Sequence, residues 1–124
     1  MSATDEAPTL HAHATLVCMR FPEAAEIETW GHPTYRVRNK IFASFGLEGD
    51  DAASMTMKAP PGEQELLLAT GDPFFYPRYV GANGWIGIRV SDKTDWDEIA
   101  ELVEESYRMT APKKLQSLLD MEPA

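Results

Sequence analysis

The chain holds one cysteine, Cys18, among 124 residues. A lone thiol excludes an internal disulfide and gives no partner for a cysteine-rich zinc site, and it fits a reducing compartment. No apolar run approaches the roughly 20 residues that a membrane helix needs. Cationic residues are scarce: 11 Lys and Arg stand against 20 Asp and Glu, a net charge of −9. That field opposes nucleic acid and anionic membrane at long range. Screening beyond about 10 Å leaves room for a local cationic face, so the distribution of charge matters more than its sum. Residues Met1 to Pro8 include Asp5 and Glu6 and no basic residue, so they lack the positive start of a secretory signal. A cytoplasmic protein is expected.

Recognisable chemistry is equally thin. Ser44, Ser54, Ser91 and Ser106 lack the context of a nucleophile elbow. Asp50-Asp51 and Glu104-Glu105 do not have the longer spacing of a calcium loop and read as solvated faces. His11 and His13 are two positions apart on a helix, where side chains diverge. His32, in Trp30-Gly31-His32-Pro33, has no spaced partner for metal binding or proton transfer. Cys18 sits beside an apolar stripe and reads as a buried, inert thiol. The reading assigns no catalytic residue, no metal ligand and no cofactor, and it leans away from an enzyme.

What is present is a regular alternation of elements. Residues 1–8 read as a flexible leader, 9–120 as a single domain and 121–124 as a frayed tail. Leu10, Ala14, Val17 and Phe21 make a helical stripe, with Thr9 as N-cap and Pro22 as terminator. An acidic connection over 23–33 leads to three strands. Thr34–Arg38 places Tyr35 and Val37 opposite Thr34, Arg36 and Arg38, and an Asn39-Lys40 turn leads into Ile41–Phe45, with Ile41, Ala43 and Phe45 on one face. Beyond the loop Gly46–Asp51, Ser54–Lys58 pairs Met55 with Met57.

Pro60-Pro61-Gly62 breaks the chain, and Glu63–Thr70 is a short helix of good helix formers. Phe74–Tyr76 and Trp85–Val90 are two more strands. In the second, Ile86, Ile88 and Val90 face one way and Trp85, Gly87 and Arg89 the other. The last long helix carries Trp96, Ile99, Leu102, Val103 and Tyr107 on its apolar side and opens on a capping box formed by Thr94 and Asp97. Residues 113–120 add a short helix. The expected fold is α+β: two layers, an antiparallel sheet with helices on one face, in the order α-β(3)-α-β(2)-α.

The string Phe21-Pro22-Glu23 through Trp30-Gly31-His32-Pro33-Thr34-Tyr35-Arg36-Val37, followed by Lys40-Ile41-Phe42-Ala43, resembles the signature of the MmcQ/YjbR family. Phe74-Phe75-Tyr76-Pro77-Arg78-Tyr79-Val80-Gly81, Gly84-Trp85-Ile86-Gly87-Ile88-Arg89 and Ala111-Pro112-Lys113-Lys114-Leu115 continue it, over about residues 9–116. The resemblance implies a secretion-chaperone-like fold in the order already read. It brings no catalytic residues, and its members are often labelled DNA-binding. A formyltransferase label, sometimes given to such chains, would need a strand, Gly-rich turn and helix that this sequence lacks.

One constellation points to binding. Between Trp30 and Phe45 lie Arg36, Arg38 and Lys40 and no acid. With Trp30, His32 and Tyr35, and with Arg78, Tyr79, Trp85 and Arg89 if the strands share a sheet, they make a candidate basic and aromatic face. Phosphate attraction and base stacking need such residues, so DNA is one expected partner. The same residue types dominate protein-binding hot spots, so a protein or a second copy, as a dimer, is the other. Solvated arginines on a half-covered sheet are the bland alternative.

Overall fold

The computed structural model describes residues 3–48 and 52–121. Its elements are helix α1 (Ala3–Cys18), strands β1 (Ala25–Thr29), β2 (His32–Val37), β3 (Lys40–Glu48) and β4 (Ala52–Lys58), helix α2 (Glu63–Thr70), strands β5 (Phe74–Phe75) and β6 (Trp85–Arg89), and helices α3 (Trp96–Thr110) and α4 (Lys113–Asp120). The strands form one antiparallel sheet in the order β1-β2-β3-β4-β6-β5. β1 to β4 follow one another as hairpins. β6 then inserts between β4 and the two-residue edge strand β5. The α+β class and element order stand as expected, with one strand added before the first three.

Helices α1 and α3 pack against each other and across β3 and β4. Alternation along the strands decides what they cover. Tyr35, Val37, Ala43, Phe45, Met55, Met57, Ile86 and Ile88 all point into this layer and are buried, as are Leu10, Ala14 and Val17 of α1 and Ile99, Val103 and Tyr107 of α3. Full burial of a Met or Ile side chain contributes about 1.5–3 kcal/mol. Phe21, Phe42 and Tyr107 form an aromatic cluster with centroids 5.0–6.1 Å apart. The Tyr107 hydroxyl donates to Pro22 O at 2.7 Å, which fixes the chain after α1. The opposite face of the sheet carries no helix of α1 or α3, and this positions the site.

Several local expectations give way. α1 begins at Ala3, so Thr9 lies inside it and does not cap it. The supposed connection over 23–33 contains β1. Its alternation of Ala25, Ile27 and Thr29 with Glu26 and Glu28 was legible, but glutamate is depleted in strands. The β2–β3 turn is Arg38-Asn39, both at positive φ (51° and 66°), with Val37 paired to Lys40. Two positive-φ residues are what a type I′ hairpin requires, and this removes Arg38 from the strand.

A register shift between Tyr35 and Arg36 pairs Arg36 with Ile41 and Tyr35 with Ala43. The extra residue, Phe42, is buried, and Ile41 turns to the face opposite Ala43 and Phe45. β3 runs on through Gly46 to Glu48, so the first half of the expected loop is strand. Asp50 and Asp51 lie outside the described residues. Asp95, not Thr94, caps α3: its carboxylate accepts from the amides of Asp97 and Glu98. Thr94 instead accepts the Ser91 amide in the preceding turn.

Candidate functional site

A groove of about 1090 Å³ runs over the uncovered face of the sheet. Its floor is the outward set of alternating positions: Thr34 on β2, Ser44 on β3, Ser54 and Thr56 on β4, and Trp85 on β6. Ser44 Oγ and Thr56 Oγ1 hydrogen-bond across the strands at 2.5 Å. One wall is the β1–β2 turn with Trp30 and His32, and the other is the segment Pro77–Val80. The groove also reaches Pro8 and His11 of α1, and the His11 ring stacks on Phe45 at 5.3 Å. No carboxylate stands among the described residues that line it.

The strands themselves sort the charge. Glu26 turns to the helix side, where His11 Nε2 (2.8 Å) and the Thr15 hydroxyl (3.0 Å) meet its carboxylate. The open face of β1 is left to Ala25, Ile27 and Thr29. Thr29 Oγ1 lies 3.2 Å from Thr34 Oγ1, and both accept from Arg36, at 3.0 Å from Nη2 and 3.2 Å from Nε. Arg36 Nη1 also donates to Asn39 Oδ1 at 3.3 Å. The guanidinium beside the groove is thus held by neutral oxygens.

The other bonded arginines are held differently. Arg38 makes a two-pronged pair with Glu23 at 2.6 and 3.1 Å, which holds the Glu23 carboxyl below its usual range and raises the guanidinium. Arg89 meets Asp72 at 3.1 Å and lies 4.9 Å over the Phe75 ring. Arg108 is shared by Glu104 and Asp120.

Trp30 and Tyr79, on opposite walls, are 90 % and 92 % exposed. Both sit at left-handed backbone positions, φ 52° and 64°. For a non-glycine residue this geometry costs about 1–2 kcal/mol. Each aromatic is held out from the core by turn geometry.

The structure therefore divides the sequence candidates. Trp30, His32, Arg78, Tyr79 and Trp85 line one groove, with Arg36 at its edge beside Thr34. Tyr35 faces the helices and is fully buried, and its hydroxyl meets Thr15 Oγ1 at 2.9 Å. Burial pushes that phenol's pKa up. Arg38 sits in the turn and Lys40 at the exposed start of β3. Arg89 is on the open face but at the end of β6, where it pairs with Ser54 of β4, three strands along the sheet from β2.

Sequence reasoning missed the hydroxyl floor, although Thr34, Ser44, Ser54 and Thr56 alternate with apolar neighbours. It also missed Gln64 on α2, whose amide donates to Gly81 O at 2.8 Å and Trp85 O at 2.7 Å and so ties the second wall to β6. Among the described residues no group of three His, Cys, Asp or Glu is placed to hold a metal, and no helix is long and apolar enough to cross a membrane.

The YjbR family model matches residues 19–109, from the end of α1 through nearly all of α3. The chain belongs to the YjbR family. Two solved structures share the fold of this YjbR domain. One is a Deinococcus radiodurans protein with a DUF419 domain, at TM-score 0.66 and 16 % identity, covering 77 % of this chain and 74 % of that one. The other is a Pseudomonas syringae protein, at TM-score 0.57 and 17 % identity, covering 86 % of this chain and 94 % of that one. No curated protein matches the chain.

Proposed function

We propose that this YjbR domain is a non-catalytic binding module that takes nucleic acid on the open face of its sheet. The observation that carries the reading is Arg36. Its guanidinium is pre-positioned by Thr29, Thr34 and Asn39, with no carboxylate among its partners in the described residues, whereas Arg38, Arg89 and Arg108 each have one. A fixed, unneutralised guanidinium is suited to a phosphate oxygen. Arg78, on the far wall, supplies a second cation. With so few cations the affinity is modest and falls steeply with salt, by a slope of roughly −1 for each phosphate engaged.

The test is fluorescence anisotropy with labelled oligonucleotides in a salt series. Binding at low salt that Arg36→Ala weakens about tenfold and Arg38→Ala leaves nearly unchanged supports the reading. No binding to duplex or single strand at low salt removes it.

Self-association is the second reading, and the edge strand β1 supports it. Among the described strands β1 pairs only with β2, so its other edge is open to a partner strand. Light scattering over a concentration series decides: a dimer that Ile27→Pro dissolves supports it, and a monomer throughout removes it.

A further inference from the structure

We infer that the strand this groove receives is unpaired, its bases stacking on Trp30 and Tyr79; this rests on the nucleic-acid reading above. Three observations converge. The first is the placement of the two rings: each is almost wholly exposed, each lines the same groove, and each stands on a left-handed residue that carries it away from the core. Two aromatic faces open to solvent across a groove are accessible to bases only if those bases are out of a duplex stack.

The second is charge. A duplex presents a phosphate charge about every 1.7 Å of its axis and is held by many cations. The groove has Arg78 on its wall and Arg36 at its edge, within a chain of net charge −9. Stacking has to supply what phosphate contacts do not, and it does so for single strands. The third is size. At about 1090 Å³ the groove is slightly larger than the usual site for one small ligand, which suits a short run of linked units. The floor hydroxyls of Ser44 and Thr56 bond to each other and alternate with no base-specific fork, so the preference is for an unpaired strand and only weakly for its sequence.

The experiment compares a labelled single strand with the same sequence as a duplex, using the full chain, and follows tryptophan emission as well as anisotropy. The single strand binds at least about tenfold tighter and quenches tryptophan emission, and Trp30→Ala and Tyr79→Ala each weaken it about tenfold. Trp30→Phe recovers part of the loss, which a purely structural role would not. Both side chains are exposed, so the variants keep the wild-type circular dichroism. Equal or tighter duplex binding, or single-strand affinity unmoved in both alanine variants, overturns this inference and leaves the nucleic-acid reading standing. Binding to neither form at low salt overturns both.

Discussion

The Ser106 hydroxyl donates to Phe42 O at 2.6 Å, joining α3 to the bulge of β3 across 64 residues of sequence. The same oxygen accepts the Lys58 amide at 2.9 Å, so one buried side chain also ties down the end of β4. It holds the bulge that turns Ile41 toward the open face. Ser106→Ala would leave a carbonyl and an amide without their partner in the core. We expect a loss of about 1–3 kcal/mol, read as a lower urea midpoint with an unchanged slope.

Cys18 is fully buried, and burial pushes its thiol far above the ordinary range, with nearby Glu26 adding to the shift. Only the thiolate reacts, so the folded protein should resist a thiol reagent such as DTNB at neutral pH. Reaction at one equivalent per chain should appear on adding denaturant. Rapid labelling of the native protein would contradict this packing of α1.

Glu23 titrates with its pKa lowered, chiefly by the hydrogen bond from Arg38. A lowered carboxylate stabilises the fold above its ordinary pKa, and the contribution is lost as pH falls through the folded-state value. Glu23→Gln should therefore lower Tm slightly at neutral pH. The difference from wild type should close in acid, and it should shrink with salt because the pair is exposed.

Glu105 behaves with the opposite sign. Partial burial raises its pKa first, and Glu63, Glu101 and Glu104 add to it. A raised carboxylate opposes folding when ionised, so the penalty is present above the folded-state pKa and relieved on acidification. Glu105→Gln should raise stability at neutral pH, by at most about 0.5 kcal/mol for an exposed position, and not at low pH. Paired thermal melts at the two pH values measure it.

A Cβ built on Gly87 overlaps the ring of Phe75, which lies over that strand under the Arg89 guanidinium. Gly87→Ala must displace the ring and the cation above it, a cost of about 1–3 kcal/mol by overpacking. Calorimetry should show the loss, and Phe75→Ala in the same chain should largely cancel the effect of the alanine.

Much of this was legible in the residues, and the limits are instructive. Met55 and Met57, or Ile86 and Ile88, announce a covered face because alternation with period two is a local property that burial simply uses. The 3.6 period of Ile99, Val103 and Tyr107 does the same for α3. Arg38 could not be placed this way. Its alternation with Arg36 looked intact until positive φ at Arg38 and Asn39 moved the turn by one residue, and its partner Glu23 is 15 positions away.

The sequence alone determined the class of fold and the inward faces of β2, β4 and β6, because both depend on neighbours a few positions apart. Only the tertiary structure decided which cations stay unneutralised. It set Arg38 against Glu23, Arg89 against Asp72 and Arg36 among neutral oxygens. It also brought Trp30 and Tyr79 to the two walls of one groove. Such pairings depend on strand order and register, which long-range packing fixes and no local pattern encodes.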